Sequence, residues 1–173
     1  MGEYTGRIEI ARPPAEVFGF LADLRNMPRY LPTVTHVGPR GRHADHDDIA
    51  VEGRAQDHAY RDEGWLKAEP EQRRMRWGSH TQDGYQGSIV VTEAAGGAAV
   101  ELRLGIDPKP EVAARLQRDH GSVETGMRLA LARTLGAIKA CCEDAEGVDS
   151  ARGSDDLPDS RPFGSSATLN PDI

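Results

Sequence analysis

The chain has 173 residues, 28% of them charged, and a formal net charge of −7. That length supports one domain with a sizeable core, and the acidic balance argues against sequence-independent binding to nucleic acid, which needs a basic face to replace phosphate counterions. No apolar run reaches the roughly 20 residues of a membrane-spanning helix, and the polar start at residues 2–6 does not read as a secretory leader, so a cytoplasmic protein is expected, without an integral membrane segment.

Residues 4–11 alternate, with Ile8 and Ile10 on one face, the period of a strand. Pro13 and Pro14 follow, where a first helical turn tolerates a missing N–H, and Val17, Phe20, Leu21 and Leu24 recur at helical spacing. After a break at 23–26, residues 27–31 predict a second short helix, with Pro28 in its first turn and Pro32 ending it. From Thr33 the period becomes two. Strands are predicted at 34–37, 49–55, 60–68, 74–79, 87–91 and 100–106, with a polar loop at 38–48 and turns at 69–72 and 82–84. Gly96-Gly97 makes the tightest reversal, since glycine accepts positive φ. Met75 and Trp77 share one strand face; Val100, Leu102, Leu104 and Ile106 share another, opposite Glu101 and Arg103. About seven strands joined by short turns imply an antiparallel meander whose apolar face needs a cover.

Residues 110–145 supply that cover. Val112, Leu116, Val123, Met127, Leu131, Leu135, Ile138 and Cys142 form one apolar stripe. Gly121-Ser122 breaks the run, leaving a main helix over 122–145 that spans ~36 Å, enough to cross the sheet from edge to edge. Cys141 and Cys142 are consecutive on it and point about 100° apart, so they read as reduced thiols with Cys142 packed inward. Residues 147–173, rich in Ser, Asp, Gly and Pro, read as a disordered acidic tail after a domain at 1–146.

Strand, two helices, a run of strands and a long terminal helix resemble the helix-grip fold of the START/Bet v 1-like (SRPBCC) superfamily, in its polyketide cyclase/dehydrase and lipid-transport branch. The resemblance rests on IEIARPPAEVFGFLADLRNMPRYLP at 8–32, the Glu-Pro turn before RRMRWGS at 73–79, GSIVVTEAAGGAAVELRL at 87–104 and MRLALARTLGAIKACCE at 127–143. The opening is also similar to that of coenzyme Q-binding relatives in Asp23, Pro28 and Pro32. The resemblance implies an α+β fold in which a curved antiparallel sheet wraps the long helix. It also implies that Tyr30 borders the mouth of a cavity between them.

Three Phe and two Trp are too few to fill such a space against strands rich in Val, Ala and Gly, so a partly empty apolar cavity is expected. Its expected lining is Tyr30, Trp65, Met75, Trp77, Ile89, Val91, Leu102, Leu104, His120, Val123, Met127 and Leu131. The expected function is binding or transport of a small hydrophobic molecule: a lipid, a quinone, or an aromatic or polyketide-like compound. A polyketide cyclase or aromatase using the same cavity is the alternative, and a protein-interaction module the third reading; a homodimer stays open. Carboxylates are plentiful, and none stands in an apolar setting that would raise its pKa. His43, Asp45, His46, Asp47 and Asp48 are donors that could hold a divalent metal, yet they fall in a hairpin loop where a solvated turn is expected, so neither metal nor cofactor is assigned. Arg73, Arg74 and Arg76 are expected on the solvated outer surface, since Arg74 and Arg76 lie opposite Trp77.

Overall fold

The computed structural model describes residues 2–31, 33–55 and 58–144. The expected tail lies outside them. Seven strands make one antiparallel sheet: β1 (Gly2–Ile10), β2 (Val34–Arg42), β3 (Asp47–Ala55), β4 (His58–Glu69), β5 (Arg74–Ser79), β6 (Gln86–Ala94) and β7 (Gly97–Ile106). Their order is β1-β7-β6-β5-β4-β3-β2, so the first two strands in sequence form the two opposite edges. The helices are α1 (Pro14–Ala22), α2 (Met27–Tyr30), α3 (Pro110–His120) and α4 (Val123–Glu143).

The predicted break at 23–26 is a 3-10 turn, Leu24–Asn26, capped by the Asp23 carboxylate, which accepts from Arg25 N at 3.0 Å. The strand predicted at 34–37 runs on to Arg42 through Pro39, with register shifts on either side of it. Pro39 is tolerated because β2 is an edge, where one side of the backbone has no ladder to feed. The predicted loop is accordingly confined to the turn between Arg42 and Asp47.

The helical break falls where expected. Gly121 closes α3 with φ +82°, and Ser122 caps α4 by accepting from Thr125 N at 3.0 Å. α4 packs closely along β1 and against α3 and α2, and its Thr134 faces the same hollow as inward residues of β2 to β7. The small inward residue Gly6 admits the helix, since a Cβ there would press on Leu135 and Leu131. The far end of α4 is tied to the exit of β1. Ala11 N donates to Glu143 Oε2 at 2.9 Å, Arg12 Nε to Cys142 O at 3.1 Å, and Lys139 Nζ to Glu9 O at 2.8 Å. Cys141 and Cys142 are both buried free thiols, and burial pushes the Cys142 thiol up to about 12.

Candidate functional site: an apolar hollow beside the long helix

Inward residues of β2 to β7 face α2 and one flank of α4. Alternation sets their facing. Leu66 of β4 lies opposite Trp77 of β5, while Met75, Ile89 and Leu102 form a continuous row across β5, β6 and β7. Together they enclose a hollow. Its walls are Met27, Tyr30 and Leu31 around α2, Val34 and Val37 of β2, Ile49 and Val51 of β3, the sheet residues just named, Tyr85 at the entry to β6, and Thr134 of α4. Every one is buried except Leu31 and Trp77, so the hollow comes nearest to solvent at the end of α2 and at β5. The Trp77 indole lies over Gly87, where a Cβ would collide with it.

The free space is about 60 Å³, small beside the ~300–1,000 Å³ of an ordinary small-molecule pocket. The expected emptiness is thus mostly taken up by Met, Leu, Ile and Val side chains rather than aromatic ones. Few polar atoms interrupt this wall. Tyr30 OH donates to Leu21 O at 3.3 Å, and Tyr85 OH accepts from Trp77 Nε1 at 3.4 Å. Burial pushes both phenols up. Thr134 Oγ1 is buried and has no partner among the described residues.

A second polar group adjoins Tyr85. Asp62 faces inward on β4, opposite Val51, and is 3% exposed. Its Oδ1 accepts from Glu63 N at 2.7 Å and from Thr81 Oγ1 at 2.5 Å, while its Oδ2 is buried without a partner. Burial pushes this carboxyl above the usual range, and its charge adds to the upward push on Tyr85. The expectation that no carboxylate occupies such a setting is therefore corrected. Beyond it, the buried Thr33 and Tyr60 hydroxyls are 3.1 Å apart.

The model of a family described as polyketide cyclase/dehydrase and lipid transport matches residues 1–143. The chain belongs to that family. No curated protein matches the chain. Among solved structures, a Thermus thermophilus protein, TTHA0849, is similar at 21% identity and a TM-score of 0.66, over 83% of this chain and 99% of the other. A START superfamily protein from Mycobacterium smegmatis gives 10% and 0.65, over 83% and 98%. The Zhui aromatase/cyclase from Streptomyces sp. R1128 gives 13% and 0.58, over 85% and 99%. At these identities the likeness is one of fold, and it is the helix-grip fold.

Within this polyketide cyclase/dehydrase and lipid-transport fold, the predicted lining residues separate into groups. Tyr30, Met75, Trp77, Ile89 and Leu102 border the hollow. Val91, Leu104, Met127 and Leu131 are buried elsewhere in the core. His120 sits at the corner between α3 and α4, its ring 3.1 Å from where a Cβ on Gly126 would stand, and half-buried Val123 begins the helix just beyond. Trp65 is half-buried on the outer face, beside Gly78 and next to Arg76 and Arg103. Arg74 and Arg76 are outside as expected, paired with Glu69 at 2.6 and 3.2 Å. The walls from β2 and β3 were not in the expected lining, whose strand residues all came from β4 to β7. Their alternation, Val34 with Val37 and Ile49 with Val51, was the available signal. Asp62 stands among polar neighbours in sequence, whereas Thr134 falls at helical spacing from Met127, Leu131 and Ile138, which was its available signal. Among the described residues, no His, Lys, Arg or carboxylate belongs to the wall of the hollow, and no helix is long and apolar enough to cross a membrane.

Proposed function

We propose that this chain binds a small, mainly apolar ligand in the hollow between the sheet, α2 and α4. The observation that carries the reading is the wall itself, which is aliphatic and aromatic but includes a buried Thr134 hydroxyl with no partner. A lone donor and acceptor in an apolar wall is costly unless a guest answers it, and a few fixed polar groups in an apolar pocket are how small-molecule sites orient their ligands. Desolvation of the ligand supplies most of the affinity, at about 25 cal/mol per Å² of apolar surface buried. A ligand larger than the present ~60 Å³ enters by displacing Leu31, Trp77 and the short α2. The family's range, from cyclases and dehydrases to lipid transport, fits this reading. The wall lacks an acid–base pair among its described residues, which favours binding over turnover.

Native mass spectrometry of the purified chain, followed by solvent extraction and displacement of an anilinonaphthalene dye, tests the proposal. A co-purifying or dye-displacing apolar molecule, with affinity lowered by Ile89→Trp at the wall, is the expected result. A protein that carries nothing and takes up no dye or lipid, quinone or aromatic probe would refute it.

A further inference from the structure

On the outer face of the sheet, away from the hollow, three of the chain's six histidines converge on one carboxylate. His43 and His46 come from the turn between β2 and β3, Asp48 from the start of β3, and His80 from just beyond β5. Asp48 lies opposite Trp65, and its neighbour Ile49 points the other way into the hollow. His43 Nε2 is 2.8 Å from Asp48 Oδ2, and His80 Nε2 is 3.0 Å from Asp48 Oδ1. His46 Nε2 stands 3.7 Å from Asp48 Oδ1. One ligand atom each from His43, His46 and Asp48 can be chosen so that all lie within 4.8 Å of one another.

We propose that His43, His46 and Asp48 form a surface site for one divalent transition-metal ion of the zinc, nickel or copper class, with His80 bonded to the Asp48 carboxylate from outside the ligand set. A tetrahedral ion with bonds of about 2.0–2.1 Å holds its ligand atoms about 3.3–3.4 Å apart, and the spacings above straddle that value. His46 carries the decisive detail. Its Nδ1 lies 2.8 Å from Asp45 Oδ1, a contact that in the neutral ring puts the proton on Nδ1 and leaves the Nε2 lone pair facing Asp48. Two acceptors then face each other beyond hydrogen-bond reach, an arrangement a cation between them satisfies. A carboxylate behind the ligating imidazole is also the usual support of a metal-bound histidine. The His43 and His46 rings are stacked, with centroids 4.5 Å apart and planes at 17°. Imidazole and carboxylate donors together select borderline ions over calcium or magnesium. The turn is further fixed by His43 N donating to His46 O at 2.8 Å.

The test uses the full chain without an affinity tag. Zinc and nickel are titrated by calorimetry, and copper(II) by quenching of the Trp65 indole, which neighbours the site. One saturable equivalent per chain is expected, with zinc reversing the copper quench. His46→Ala and Asp48→Asn are each expected to weaken binding tenfold or more, while His36→Ala and His120→Ala leave it unchanged. Circular dichroism of these surface variants confirms that they fold. Absence of saturable binding, or binding that survives both His46→Ala and Asp48→Asn, would overturn the proposal.

Discussion

Thr134 carries a buried hydroxyl that no described residue answers. A buried, unmet polar group costs about 1–3 kcal/mol, so Thr134→Val is expected to raise the ligand-free stability by about 1 kcal/mol, read from the denaturant midpoint at constant slope. The same change should weaken any ligand that bonds to the hydroxyl. Two carboxylates predict opposite responses to pH. Asp62 titrates above its ordinary value of 3.8 because it is buried. Below 3.8 it is neutral in both folded and unfolded chains; as pH rises, the unfolded chain ionises first, and stability falls until the folded value is passed. Asp62→Asn is therefore expected to be the more stable protein at neutral pH, with its advantage shrinking toward pH ~4. An advantage independent of pH would contradict this cause. Glu69 is held down at about 2, first by its hydrogen bond from Arg74 and also by Arg76. Its stabilisation is complete above 4.5 and disappears as pH falls through about 2. Urea melts of Glu69→Gln against the parent should differ above that window and coincide below it.

At the scale of elements, the joint between α3 and α4 shows how local chemistry fixes a boundary. Gly121 takes the positive φ that ends one helix, and Ser122 caps the next. Ser122→Ala is expected to cost about 1 kcal/mol, measured by thermal or chemical unfolding. This joint was legible in the sequence because glycine and a capping hydroxyl act within a few residues. The strands were legible for a similar reason, since alternation reports a half-buried face without needing to know the partner. The extent of β2 was not. Gly38 and Pro39 argue for a loop, and only the edge position of that strand, a property of the whole sheet, makes them compatible with pairing. The site was half legible. Met75, Trp77, Ile89 and Leu102 declare an inward face, but which inward residues meet the hollow depends on how α2 and α4 seat against the sheet, which periodicity does not report.

For the molecule as a whole, a hollow of about 60 Å³ means that an apolar guest must be accommodated by movement. The four-residue α2 and the adjoining edge strand β2 are the walls with least sheet to hold them. Amide hydrogen exchange is expected to be fastest in this segment in the free protein and to slow there on ligand binding, with β6 and β7 unchanged. Protection spread evenly over the sheet would instead indicate global stabilisation by mass action. The strand order carries a further consequence. β1 is made first, yet its only sheet partner is β7, and α4, which covers it, comes last. During synthesis the first strand must therefore wait, unpaired, for nearly the entire domain to leave the ribosome. The backbone donor at Ala11 is answered by Glu143, from the far end of the described chain. Closure between the two ends of the domain is thus a late event on the ribosome, and the waiting strand edge is exposed to rescue or misassociation until then.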